Sequence, residues 1–365
     1  MKIALIHDWL TGMRGGEAVF QAICEMYPSA EIFTLIYQPN SVDRVFHSFK
    51  VHTSPLQKIP SIERNYRKFL PLMPLAVGRL DVSDFDLVIS SSHCVAKGIQ
   101  KNKNAKHISY VHAPMRYMWE RFDDYFGPGK SSFSTRLAAR AIRSKMQAWD
   151  VSVSGQDRVD LMIANSHFIQ SKIKEFYKRD SLVIHPFVDW ERFQSLKRDP
   201  KDFYLMVGAL APYKRVDLAI EYFKLNPSKQ LMIVGDGQDF ALLKDLPDNV
   251  RWLGRQSNDE ITKLYSHAKA FLFPGVEDFG ITPLESMSSG VPVIALNRGG
   301  ATETVTIDTG VFFEEQSIAS LGGAIDYFES HSSDFKENVI RAHAKTFSKE
   351  NFKTSFKEAI DSCLK

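Results

Sequence analysis

The sequence predicts an α/β protein built from two doubly wound parallel sheets, and three observations carry that prediction. Short apolar runs alternate with helical patterns nearly from end to end, as parallel strands covered by helices require. The runs form two separate series. A chain of 365 residues, at roughly 100 to 200 residues per domain, also divides into two.

Taken in order, the first series places strands at 3–7, 32–37, 87–91, 107–112 and 161–164. The second places them at 204–207, 230–234, 250–253, 270–273, 293–296 and 310–313. Between the two, HPFVDWERFQSLKRDPKD is polar, carries Pro186 and Pro200 and lacks sustained apolar periodicity, so it is expected to link the domains. A last helix, about 349–363, follows the completed second sheet. Open parallel sheets bind ligands outside the carboxyl ends of their strands, which makes the cleft between the domains the expected site.

At 44% apolar and 24% charged the chain can fill ordinary cores, which excludes disordered, collagen-like and disulfide-dense classes. No run approaches the ~20 uninterrupted apolar residues of a transmembrane helix, and MKIALI reaches His7 and Asp8 too early for a signal peptide, so a cytoplasmic protein is expected. Cys24, Cys94 and Cys363 are an odd number without metal-ligand spacing, which suits reduced thiols. The net charge of +3 hides an asymmetry: residues 1–184 carry 25 Lys+Arg against 17 Asp+Glu, and the remainder 21 against 26. A general polyanion binder would be basic throughout; the basic half points to a local anionic partner, and nucleic acid is not expected.

After the first strand, HDWLTGMRGGEAVFQAI is a glycine-bearing turn opening a helix. Gly12, Gly15 and Gly16 do not follow G-x-G-x-x-G, and the second strand ends at Tyr37 and Gln38 without an acidic residue for a ribose diol, which weakens a nicotinamide-binding reading. The glycines either let backbone N–H groups approach a ligand at a helix start or simply make a tight turn. In FLFPGVEDFGITPLESMSSGVPVIA a strand ends at Phe273, a loop carries Glu277 and Gly280, and a helix is expected from Thr282 with Pro283 at its first position. Thr282 and Glu285 also spell a capping box, which alone would account for that glutamate. A helix start cradles diphosphate, and carboxylates beside it suit vicinal hydroxyls rather than phosphate. An anion site flanked by two diol readers describes a nucleoside diphosphate sugar.

The E-x7-E spacing from Glu277 to Glu285 resembles the retaining glycosyltransferases of family 4, whose GT-B fold has two facing Rossmann-like domains. The likeness extends to GALAPYKRVDLAI, the VGDGQD turn, VPVIALNRGGATE and FSKENFKTSF, the helix that in relatives crosses back to the N-terminal domain. It implies an acceptor-binding domain, 1–185 with 346–365, and a nucleotide-sugar-binding domain, 186–345. YVHAPMRYMWE is similar to bacterial mannosyltransferases that build O-antigen or exopolysaccharide from GDP-mannose.

Carried over by position, the resemblance implies that Glu285 holds the ribose diol and Glu277 reads donor-sugar hydroxyls. Backbone N–H groups at Phe279, Gly280 and Ile281 meet sugar and phosphate, Lys214 contacts the diphosphate, and His112 lies near the donor sugar. Catalytic roles are thus implied for Glu277, His112 and Lys214. The family's usual arginine in G-R-L-x-x-x-K is Ala209 here. Arg215, or Arg116 of the facing domain, is the expected substitute; the alternative for Arg215 is a surface pair with Asp217. Asp8 and Glu17, with Gly15 and Gly16 of the glycine turn, are expected on the acceptor side.

The implied reaction moves mannose with retention from GDP-mannose to a glycan or polyprenyl-linked oligosaccharide by front-face attack, with no metal or other cofactor. The DFD at 84–86 precedes a buried strand and is not read as a metal motif. IPSIERNYRKFLPLMPLAVGRL and KSSFSTRLAARAIRSK interleave basic and apolar residues, which suits either peripheral contact with the inner face of the cytoplasmic membrane or helices whose apolar faces are core. The alternatives are a UDP-sugar donor, an epimerase or hydrolase of similar architecture, and a non-catalytic nucleotide-sugar-binding subunit of an assembly complex.

Overall fold

The computed structural model describes residues 1–237, 243 and 245–365. It divides into two compact units, Met1–His185 with Lys353–Lys365, and Pro186–Phe352. The first contains β1 (Ile3–His7), β2 (Glu31–Thr34), β3 (Val51–Thr53), β4 (Leu87–Ser92), β5 (Lys106–Val111), β6 (Leu161–Ala164) and β7 (Leu182–Val183). These form one parallel sheet in the order β3-β2-β1-β4-β5-β6-β7. Ala4, Leu5 and Ile6 are all fully buried. Successive strand residues point to opposite faces, so this sheet is covered on both, which is why its strands read as unbroken apolar runs.

Two short edge strands, β3 and β7, are absent from the sequence prediction because three and two residues are too few to display a period. The second strand stops at Thr34 rather than at Tyr37. Beyond it the chain leaves the ladder to follow the turn after β1: Leu35 N–H donates to Asp8 O and Leu10 N–H to Ile36 O.

The second unit contains β8 (Tyr204–Val207), β9 (Leu231–Val234), β10 (Val250–Trp252), β11 (Ala270–Phe273), β12 (Val293–Leu296) and β13 (Gly310–Phe313). All are parallel, in the order β10-β9-β8-β11-β12-β13. In each sheet the order of strands reverses once, between β1 and β4 and between β8 and β11. Those are the switch points where two adjacent crossovers diverge and leave a crevice.

The segment expected to be a polar linker is instead part of the second unit. Val188 and Phe193 are buried, with Trp190 and Leu196 packed against the same cluster. Arg341 donates to the carbonyls of Phe193, Gln194 and Leu196, and Arg198 to that of Gly290. Its charged residues hid an apolar stripe at Trp190, Phe193 and Leu196, spaced as one helical face. The last helix spans Lys349–Leu364. From Lys353 onward it belongs to the first unit: Phe356 and Ile360 are buried there, the Phe356 ring meets Tyr110, and Lys353 Nζ lies 2.7 Å from Glu25.

Candidate functional site

In the second unit, residues after β8 and β11 close around a small cavity lined by Val207, Gly208, Lys214, Pro274 and Glu277, with Ala209 also on its wall. Lys214 Nζ donates to Glu277 Oε1 at 2.5 Å, and both side chains are less than one-fifth exposed. The Glu277 loop is held by the turn after β12: Gly300 N–H donates to Glu277 O at 2.9 Å. A Cβ at Gly300 would stand 2.2 Å from Phe279 Cα, so only glycine lets the two backbones lie together.

Gly280, at φ +88°, turns the chain into the helix Ile281–Ser288. The helix thus begins one residue before the expected Thr282, and Pro283 occupies its third position, which removes one of the N–H groups a first turn offers to an anion. The expected capping box does not form. The buried Thr282 hydroxyl has no hydrogen-bond partner among the described residues, and Glu285 turns elsewhere.

Glu285 Oε1 accepts from Arg192 Nη1 at 3.2 Å and Oε2 from the Tyr265 hydroxyl at 3.1 Å. Burial raises its pKa, while the Arg192 charge and the tyrosine hydrogen bond pull it back down. Arg192 is itself fixed by Thr262 Oγ1 at 2.6 Å and Asn258 O at 2.8 Å. Neither Arg192 nor Tyr265 was among the residues singled out from sequence. Arg192 sits in the presumed linker, and the stripe that includes Phe193 is the signal that would have found it.

Arg215 takes the surface alternative. Its Nε lies 3.1 Å from both Asp217 oxygens, and its Nη1 donates to Gln316, whose amide donates to Pro274 O. The guanidinium is therefore tied to the loop that carries Glu277. Of the VGDGQD turn, Gln238 and Asp239 lie outside the described residues.

In the first unit, polar residues gather at the β1/β4 switch point. Asp8, expected on the acceptor side, is fully buried instead: its carboxylate accepts backbone N–H groups from His93, Cys94, Val95 and Ala96 at 2.6–3.0 Å. With His93 Nδ1 also at 3.1 Å, its lone pairs are occupied, and its work is to shape the loop after β4. Gly15 opens the helix Gly15–Met26. At Gly16, a Cβ would stand 3.8 Å from the His112 ring, so the turn packs directly on that histidine.

His112 follows β5 immediately, and its Nε2 lies 2.8 Å from Ser91 Oγ, which is 3.1 Å from His7 Nδ1. His7 Nε2 stands 4.0 Å from Glu17 Oε1, and Glu17 Oε2 accepts from Arg14 N–H. The arrangement is a buried chain from Glu17 through His7 and Ser91 to His112. Burial holds His7, His93 and His112 neutral, each down to about 3; the Arg116 charge adds to this at His93 and His112. Burial likewise pushes Glu17 up to about 7.

Of the two basic-apolar stretches, the first folds into short helical turns with Leu70 and Met73 buried and Phe69 packed on the core, while Leu72 and Leu75 of the same stretch are exposed. Among the described residues no helix is long and apolar enough to cross a membrane.

Two Rossmann-like parallel sheets, each gathering its polar groups where the strand order reverses, define the GT-B fold. Residues 187–346, all within the second unit, match the family described as glycosyl transferases group 1. It is 35% identical over 128 residues to a GDP-mannose-dependent monoacylated alpha-(1-6)-phosphatidylinositol monomannoside mannosyltransferase of Corynebacterium glutamicum, an alignment covering 31% of this chain and 34% of that one. It is 33% identical over 141 residues to an O-antigen chain mannosyltransferase of Salmonella typhimurium, covering 35% and 40%. The chain thus spans between a third and two-fifths of the length of these relatives. A longer alignment, 72% of this chain and 69% of the other at 27% identity, joins it to a GDP-mannose-dependent alpha-mannosyltransferase of Mycolicibacterium smegmatis. Among solved structures, an Anabaena protein, HepE, in complex with UDP-glucose matches with TM-score 0.72 and 17% identity over 99% of this chain and all of that one.

Proposed function

We propose that the chain is a glycosyltransferase that moves a mannosyl residue, with retention of configuration, from GDP-mannose to a glycan carried on a lipid. The observation that carries this reading is the Lys214–Glu277 pair beside the helix start at Gly280, with Glu285 held by Arg192 and Tyr265 in the same unit. A diphosphate entering there replaces the carboxylate partner of Lys214 by phosphate oxygens and releases Glu277 toward sugar hydroxyls. As the bond from anomeric carbon to phosphate breaks, the ammonium offsets the charge gathering on the leaving oxygens. The acceptor oxygen bonds to the same face of that carbon and passes its proton to the departing phosphate, so configuration is kept and no carboxylate attacks. Glu285 takes the ribose hydroxyls. His112, neutral through burial, serves as a hydrogen-bonding group rather than as a cation.

The names of the curated relatives support mannose and, in two cases, GDP-mannose. A thermal-shift panel of GDP-, UDP-, ADP- and dTDP-sugars tests the donor, since a ligand at 100 times its Kd stabilises by about 2.7 kcal/mol. GDP-mannose is expected to respond; a response confined to UDP-sugars overturns the donor. Acceptor-dependent release of GDP, unchanged by EDTA, is expected of a metal-independent transferase. Donor binding without any turnover would leave a non-catalytic subunit.

A further inference from the structure

We propose that the outward face of the helix Phe133–Ser152 is a docking surface for an anionic lipid bilayer. This deepens the lipid-linked acceptor of the preceding reading by assigning the surface that meets the lipid. Phe133 is 72% exposed, Leu137 60% and Val151 39%. With exposed Ala141, Ser144 and Ala148 they fall at steps of three or four, one continuous stripe along the helix. The opposite stripe, Ala139, Met146 and Asp150, is buried, and Ile142 and Trp149 pack on the core of the first unit. A helix with its core face satisfied carries a second, solvent-facing apolar stripe.

Charge selects the occupant. Arg140 and Lys145 are exposed beside the stripe, and the Arg136 guanidinium lies 5.6 Å from the Phe133 ring centre. The helix has one acidic residue, Asp150, and that one is buried against Lys97 at 2.5 Å, with Trp119 and Tyr177 also donating to it. Aromatic and aliphatic side chains concentrated at one end, small residues along the rest and basic flanks without acid suit a helix lying in a headgroup layer. They suit a protein groove poorly, because alanines fill no pockets.

The helix is also tied to the segment that follows His112. Arg143 donates to Met118 O at 3.0 Å and Trp119 O at 2.8 Å, and Gln147 to Met118 O at 2.8 Å. The docking surface and the β5 end are therefore parts of one hydrogen-bonded assembly within the first unit.

Co-sedimentation of the full chain with phosphatidylcholine vesicles, with and without phosphatidylglycerol, tests this. Binding to the anionic vesicles is expected, weakened by added salt. The double variant F133S/L137S should lower the bound fraction by about tenfold, because the apolar surface that enters the layer is removed. R140E/K145E should abolish the preference for anionic vesicles, and both variants should melt within a few degrees of the parent, their sites being exposed. A wild-type chain left in the supernatant, or F133S/L137S bound as well as wild type, overturns the proposal. So does a dimer that F133S/L137S dissociates, which would give the surface to a second copy. The donor reading fails separately: thermal response to nucleotide sugars is read without vesicles, and vesicle binding without donor.

Discussion

Arg192 is the residue on which the donor reading is most exposed to test. Removing it leaves the Glu285 carboxylate with the tyrosine alone, and a hydrogen bond to a charged group contributes roughly 1.5–3 kcal/mol. Titration calorimetry with GDP-mannose should show R192A weakened by about tenfold or more, with R192K intermediate. An unchanged affinity in R192A would detach Glu285 from donor binding. The buried chain at the β1/β4 switch makes a second prediction, about pH. Glu17 has its folded pKa raised to about 7, so the native state keeps a proton the unfolded chain releases, and stability from this group falls as pH rises from the ordinary carboxylate range toward 7. The histidines act oppositely: with folded values near 3, their contribution is complete above pH ~6.5 and drains away as pH falls toward 3. In urea titrations, E17Q should gain on the parent between pH 5 and 8 and lose on it nowhere in that range. Glu277 and Glu285 were marked in the sequence by their E-x7-E spacing, and Lys214, 63 residues away from Glu277, by the likeness of GALAPYKRVDLAI to the family. Arg192 and Tyr265 were not, since what makes them matter is an encounter across the fold with a carboxylate far away in the chain.

Among elements, the loops that follow strands bear the tightest constraints. G300A places a methyl group against Phe279 Cα, and overpacking of this kind typically costs about 1–3 kcal/mol. Because the backbones that must part are those of the Glu277 loop, donor affinity should drop along with the urea midpoint. At the other switch point, D8A strips the acceptor from four backbone donors, each buried unsatisfied group costing about 1–3 kcal/mol; the expected outcome is a chain that fails to fold, while D8N, keeping one oxygen, folds with a lowered Tm. Strands such as β1, β8 and β12 could be placed from sequence because burial on both faces writes an unbroken apolar run. The Asp8 cradle could not, because four successive N–H groups converge only after the loop at 93–96 has folded around them. Nor could the absent capping box at Thr282: the pattern was present, and Arg192 with Tyr265 outcompeted it for Glu285.

At the scale of the whole molecule, the division into two units was readable from two series of strands, with the break at 185/186, whereas the packing of the segment just after the break was not. Charged residues disguised 186–202 as a tether when its Val188 and Phe193 are core. Truncating the chain before Lys353 should destabilise the first unit selectively, since Phe356 and Ile360 are buried there and a Phe→Ala change at such a site by itself costs about 3–5 kcal/mol. Calorimetry of the truncated chain should show one transition shifted down and another little changed; equal shifts in both would contradict the assignment of the final helix. That helix also imposes an order on biosynthesis. All of Pro186–Phe352 leaves the ribosome before the opening Rossmann half receives its closing piece, a wait of roughly 10 to 30 seconds at ~5–20 residues per second. Until then Tyr110 lacks its ring contact with Phe356, and Glu25 its ion pair with Lys353.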